Sequence, residues 1–278
     1  MTKGHVFLAQ NSDVDYVQQA YALALSIKIH NQENNTCIIT NDVVPEEYRH
    51  AFDYIIPIPW KDSALTSQWK IENRWKIIYA TPFDENIVYD VDMLLLESND
   101  HWWKYFEDKD LCFTTRVTDY RGNIVTSDYY RKSFTANNLD NIYTGAFYFK
   151  KVKTAYEFFK WLEIIVVHWQ KFYRIHLKNS VQRFCSIDLS AALALRFMGH
   201  NVDQGGIPSF THMKPGIQGW KTIPPKWTNV LNSFVDDTLQ LKVGNFQQSG
   251  LLHYVEEGFL TSRHIDLLRK AYARKFDI

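Results

Sequence analysis

The chain has 278 residues, 46% hydrophobic and 22% charged, which is enough apolar material for one globular domain with a substantial core and excludes a disordered composition. Lys plus Arg and Asp plus Glu both number 31, so no net field draws the whole molecule to nucleic acid or to an anionic membrane, although a local patch remains open. Cys37, Cys112 and Cys185 are widely spaced and odd in number, which fits a reduced protein and excludes a zinc ribbon.

The N-terminal MTKGHVFLAQNSD has no long apolar segment, and no run approaches the roughly 18 apolar residues that cross a bilayer, so no membrane span and a cytoplasmic location are expected. HVFLAQ at 5–10 reads as a strand running into an Asn-Ser-Asp turn. A helix follows over 15–29, with Val17, Ala20, Tyr21, Ala24, Leu25 and Lys28 at helical spacing. CIIT at 37–40 predicts a second strand, EEYRHAF at 46–52 a short helix, and YIIPI at 54–58 a third strand that Pro57 and Pro59 place near an edge or an end. A helix around 70–80 and the strand IVYD complete a βαβαβαβ series. Its expected fold is α/β, a mostly parallel central sheet with helices on both faces, in one domain over 1–278.

IVYD is followed by Asp92 two residues after Asp90, inside the otherwise apolar run IVYDVDMLLL. Ligand crevices of such sheets lie beyond the carboxyl ends of the strands, where Asp90 falls. A buried carboxylate costs several kcal/mol unless paired or bound to a cation, so two of them here suggest a metal site. On an extended strand, residues i and i+2 point the same way and can reach one ion. The plainer reading is that the pair caps turns or meets a nearby Arg or Lys.

Two later stretches bear on partners. Residues 116–142 form a long polar connection rich in Tyr and Arg, including Arg121 and Arg131, and a loop of that length is often a binding lid. From 164 to 187 the chain carries Lys171, Arg174, Lys178 and Arg183 among Trp169, Phe172, Tyr173 and Phe184, without an acidic residue. Cations among rings suit a nucleic-acid groove, and equally an amphipathic helix with its rings in the core.

The run ending in DxD resembles the signature of the GT-A glycosyltransferases, most nearly the glycogenin and bacterial galactosyltransferase type, and the likeness covers about residues 5–200. The resemblance implies a nucleotide-sugar donor, a UDP-sugar above all, with Mn2+ or Mg2+ held by Asp90 and Asp92. It divides the domain into a nucleotide-binding half over about 1–110 and an acceptor half with a C-terminal helix over about 111–278. VFLAQNSDVDYVQQAYALALSIK is similar to the family's first strand and helix, which nominates Gln10, Asn11 and Tyr16 for the nucleoside. WKIENRWKIIYATPFDENIVYDVD is similar to the helix whose basic residue faces the donor, here Arg74 or Lys76, with Val91 between the two aspartates. YTGAFYFKK resembles the strand behind the sugar and nominates Thr144 and Gly145, while FCSIDLSAALAL nominates Asp188 as the catalytic carboxylate. The family's third metal ligand is a histidine leaving an apolar strand; His253 in GLLHYVEEGFL fits that place, without the usual Lys-Pro-Trp. His212 and Lys214 in SFTHMKPGIQGW are then candidates for the diphosphate or the acceptor.

The resemblance further implies transfer with retention to an acceptor hydroxyl on a glycan or a protein. The chain also looks similar to glycosyltransferases of tailed phages, which implies a hydroxymethylated DNA base as acceptor, with Arg121, Arg131, Lys171 and Arg174 holding the opened strand. Two other classes compete. DxD also opens phosphatases of the haloacid-dehalogenase type, with Asp90 as nucleophile, Thr114 as the second motif and Asp236–Asp237 as the late acidic pair, and a non-catalytic sugar-binding protein can share the fold.

Overall fold

Alternation along the first strand explains the layering. In the computed structural model, which describes residues 1–64, 70–125, 131–179 and 183–277, Val6 enters one apolar cluster and Phe7 the other. The same switch repeats at Cys37, Ile38 and Ile39 and at Ile87, Val88 and Tyr89, so these strands are buried on both faces and read as continuous apolar runs.

The first half runs β1 (Lys3–Leu8), α1 (Tyr16–His30), β2 (Thr36–Ile39), a 3-10 helix (Glu46–Ala51), β3 (Tyr54–Ile56), a second 3-10 helix (Ile71–Lys76) continuing into α2 (Ile77–Ala80), then β4 (Glu85–Tyr89) and β5 (Met93–Leu95). It continues with α3 (His101–Tyr105), β6 (Leu111–Thr114), β7 (Arg116–Thr118), β8 (Ile124–Val125), α4 (Lys132–Ala136), β9 (Tyr143–Lys150), α5 (Lys153–Val167), α6 (Trp169–His176) and α7 (Ile187–Met198). The last part is β10 (Ser209–His212), β11 (Ser233–Val235), β12 (Leu241–Val243), β13 (Phe246–Gln247), β14 (Leu251–His253) and α8 (Ser262–Phe276).

The main sheet has the order β3-β2-β1-β4-β9-β6, with β1 to β4 parallel and β9 antiparallel to both of its neighbours. It is therefore a mixed sheet built around a parallel core, with α1 packed on one face and α5 and α7 on the other. The Asp15 side chain caps α1 by accepting from the Gln18 N–H at 3.0 Å, and Lys28, buried in that helix, is satisfied by Asp53 at 2.8 Å. β3 is one of the two edge strands, and Pro57 and Pro59 follow directly after it. A second sheet, β5-β14-β10-β7-β8, takes over where β4 ends, and β11, β12 and β13 form a small antiparallel sheet.

Three local expectations change. The helix around 70–80 begins as 3-10, with Lys70 left-handed at φ 55° before it. The 116–142 connection is no open loop in its described part. β7 and β8 pair as a hairpin whose turn is tied by Asp119, which accepts from the N–H groups of Arg121 and Asn123 at 2.9 and 3.0 Å, and Gly122 supplies the φ of 84° that the turn needs. Residues 126–130 of that connection lie outside the described residues. The 164–187 stretch breaks at His168 into the end of α5 and the separate α6.

Candidate metal and donor site

β4 leaves the main sheet at Tyr89, and the Asp90 N–H donates to the Gly145 carbonyl of β9 at 2.7 Å. Asp90, Val91 and Asp92 then form the turn that carries the chain into β5 of the second sheet. The aspartates are thus not on an extended strand, and the period-two argument for their common direction does not apply. They converge because the turn bends around β14, where the Tyr254 N–H donates to the Asp92 carbonyl at 3.1 Å and His253 lies in register with Met93.

His253 Nε2 is 3.0 Å from Asp92 Oδ2 and 4.0 Å from Asp90 Oδ2, and one ligand atom from each of the three residues lies within 4.8 Å of the others. Two carboxylate oxygens and one imidazole nitrogen suit Mn2+ or Mg2+ with water or substrate oxygens completing the shell. Gly145 backs this arrangement closely, since a Cβ there would stand 3.2 Å from Asp90 Oδ2 and 2.9 Å from the Met93 methyl. Burial raises the Asp92 pKa, but the adjacent His253 and then Arg74 more than offset it and hold the carboxyl below its ordinary value. Arg74 pairs with the other oxygen of Asp90 and donates to the Thr144 carbonyl at 3.3 Å, so one cation already stands beside the acidic pair.

His212, in register with His253 on the neighbouring strand, stacks on it with ring centroids 4.6 Å apart and planes 4° from parallel. Burial, then the charges of His253, Lys214 and Arg131, push its pKa well down, so it is neutral at pH 7. The three-residue cluster takes in His253 and leaves His212 behind it.

A cleft of about 260 Å3 opens beside Asp90 and Asp92, lined further by Leu8, Gln10, Tyr16, Lys70, Ile71, Arg74, Val91 and Ile187. Gln10 is oriented by Asn73, whose amide donates to it at 2.7 Å. Burial, followed by the charges of Glu257 and Asp92, raises the Tyr16 pKa and keeps the phenol protonated.

No protein-family model and no curated protein matches the chain. Among solved structures it aligns with the galactosyltransferase LgtC in complex with donor and acceptor sugar analogues at a TM-score of 0.53, with 15% identity over 96% of this chain and 95% of that one. An active-site mutant of LgtC aligns at a TM-score of 0.50, with 14% identity over the same shares of both chains. This chain has the GT-A fold. The glycosyltransferase GlyE of Streptococcus pneumoniae TIGR4 is a weaker match, with a TM-score of 0.48 and 12% identity over 97% of this chain, which spans 60% of the length of GlyE.

Within the GT-A fold the other nominated residues separate. Asn11 accepts from the Val17 N–H at 3.0 Å and donates its own N–H to Asp42 at 2.7 Å, so it shapes the entry to α1 without lining the cleft. Lys76 turns away from the cleft to Asp62 at 2.5 Å, and Arg74 takes the place beside the aspartates. Lys214 follows β10, where its carbonyl accepts from the Gln218 amide at 3.0 Å. Lys70 and Ile71 line the cleft and were missed by sequence reasoning; the only signal for them was a basic residue at the entry to the expected helix.

Asp188 and Arg131 form an ion pair. Asp188 accepts from the Thr144 N–H and hydroxyl at 2.8 and 2.6 Å and from Arg131 at 2.5 Å, three donors that fix it against β9, while its side chain stays 18% exposed. Burial raises its pKa, but Arg131 and Thr144 hold the carboxyl below the ordinary range. Arg131 itself is buried, donates to the Ile142 carbonyl at 2.7 Å, and lies over the Tyr143 ring at 3.5 Å, so it does not reach for an acceptor. Arg121 is held by Asp119 at 2.9 Å and by the Gln218 carbonyl. Lys171 and Arg174 are exposed on α6 while Tyr173 is buried, which is the amphipathic arrangement.

The phosphatase constellation does not assemble at Asp90. The Thr114 hydroxyl is buried on β6 and donates to the Ala146 carbonyl at 2.8 Å, and Asp236 closes the turn after β11 by accepting from Thr238 and Gln240. No helix among the described residues is long and apolar enough to cross a membrane.

Proposed function

We propose that the protein is a metal-dependent glycosyltransferase that transfers a sugar from a UDP-sugar to an acceptor hydroxyl. The observation that carries this reading is the convergence of Asp90, Asp92 and His253 at the mouth of a cleft that also holds Gln10, Tyr16 and Arg74. When bound, Mn2+ or Mg2+ acts as a Lewis acid toward the departing diphosphate. Arg74 adds a second positive charge on the same side, Gln10 and Tyr16 meet the nucleoside, and Gly145 leaves room behind the sugar.

Residues from about 1 to 110 then form the donor half, and the second sheet and the C-terminal elements the acceptor half. Retention is the stereochemical reading. An inverting transfer needs a base to take the acceptor proton, and among the described residues the carboxylates lining the cleft are Asp90 and Asp92, both assigned to the ion. A hydroxymethylated DNA base is the less favoured acceptor, because α6 turns Tyr173 inward and keeps Trp169 and Phe172 half-buried, which is the amphipathic arrangement. A glycan or protein hydroxyl is favoured.

A thermal-shift screen of UDP-sugars with and without Mn2+ tests the proposal. The expected result is a shift that needs both, since a ligand at a hundred times its dissociation constant stabilises the fold by about 2.7 kcal/mol. The Asp90→Asn/Asp92→Asn double variant should abolish it. A shift that persists in the double variant, or the absence of any Mn2+-dependent shift across the screen, overturns the assignment. Slow Mn2+-dependent hydrolysis of the responding donor separates an enzyme from a sugar-binding protein on the same fold.

A further inference from the structure

The second sheet has two faces of opposite chemistry. Its register places Phe210, His212 and His253 on the face toward the aspartates, so Thr118 and Thr211, alternate to them and paired with each other, point to the other side. A cleft of about 390 Å3 lies there, larger than the donor cleft at about 260 Å3. Its walls include Trp102 of α3, Tyr120 of the β7–β8 turn, and Phe246 and Gln247 of β13.

We propose that this second cleft binds a neutral oligosaccharide. Sugar hydroxyls both donate and accept, and so do the groups offered: the Thr118 and Thr211 hydroxyls, 3.1 Å apart and able to exchange donor roles, and the exposed Gln247 amide. Sugar rings also present apolar C–H faces. Phe246, 42% exposed, meets Tyr120 edge-on at 5.4 Å and provides a flat wall beside the hydroxyls. A polyanion is disfavoured, because no lysine lines the cleft and its arginine, Arg121, is already bound by Asp119 through two nitrogens at 3.1 and 2.9 Å. The size falls in the range of small-ligand clefts. The inference does not depend on Asp90 and Asp92 holding an ion, since those residues lie on the other side of the sheet.

Isothermal titration of the full chain with maltotetraose and with cellotetraose, in EDTA and without nucleotide sugar, tests it. Saturable binding of at least one of them is expected, with a dissociation constant on the order of 1 mM. Phe246→Ala should weaken it about tenfold. Gln247→Ala, a surface change that leaves the core intact, should weaken it in the same direction and serves if Phe246→Ala fails to fold. Asp90→Asn/Asp92→Asn should leave it unchanged. Absence of saturable binding of both sugars overturns the proposal, as does binding that is lost in the aspartate double variant and untouched by Phe246→Ala and Gln247→Ala.

Discussion

Two carboxylate clusters meet at β9, and they are finished differently. Asp188 is met by donors from its own chain, the Thr144 N–H and hydroxyl and the buried Arg131 guanidinium, and its side chain is 18% exposed. Asp90 and Asp92 stand beside each other with Arg74 on one side and His253 on the other, their side chains 21% and 22% exposed toward a cleft. A carboxylate paired within the protein ties two elements together, whereas two that converge on a shared opening with an imidazole provide the donor set of a candidate cation site.

The sharpest break of this contrast is Asp188→Asn. It leaves Arg131 buried without its counter-charge and should cost about 3–5 kcal/mol in chemical denaturation; a loss near zero would mean that Asp188 is not structural. The sign of the pH dependence follows from its depressed pKa. The carboxyl lies below its unfolded value of about 3.9, so its contribution is complete above that pH and is lost as the pH falls through the lower folded value. The variant should therefore show a flatter acid limb of stability than the parent. Thr144→Val, which removes one hydrogen bond to the same carboxylate, should cost about 2 kcal/mol.

Gly145→Ala joins the two clusters. The added methyl would crowd Met93 and Asp90, so we expect about 1–3 kcal/mol of destabilisation together with weaker Mn2+ binding by calorimetry. Unchanged Mn2+ affinity would place the ion away from Asp90. His253→Ala should reduce Mn2+ affinity and also cost stability, because its ring is buried against His212 and Phe210. Lys171→Ala and Arg174→Ala are the smallest expected effects, within about 0.5 kcal/mol, because both side chains are exposed. A marked loss of salt-sensitive duplex DNA binding in these two variants would restore the nucleic-acid reading.

The strand and helix order of the first 90 residues was legible because β1, β2 and β4 are buried on both faces and α1 is buried along most of its length, so apolar runs and helical spacing mark them plainly. The hairpin hidden in 116–142 was harder, since its turn is made by one side chain, Asp119, closing on the backbone and not by an apolar pattern. The pairing of Asp188 with Arg131 was not legible, because a charged residue in a short motif looks the same whether its partner lies in a ligand or 57 positions away along the chain.

By itself the sequence determined the alternating architecture and the placing of an acidic pair at the end of a strand, because local spacing and burial periodicity act over a few residues. Only the tertiary structure decided that His253 rather than His212 faces the aspartates, that Arg74 rather than Lys76 stands beside them, and that Asp188 meets Arg131 and Thr144. Those outcomes depend on the register of β5, β10 and β14 and on the turn between two sheets. Such contacts join separate segments of the chain, as Asp92 with His253 and Arg131 with Asp188, and no pattern within a single segment encodes them.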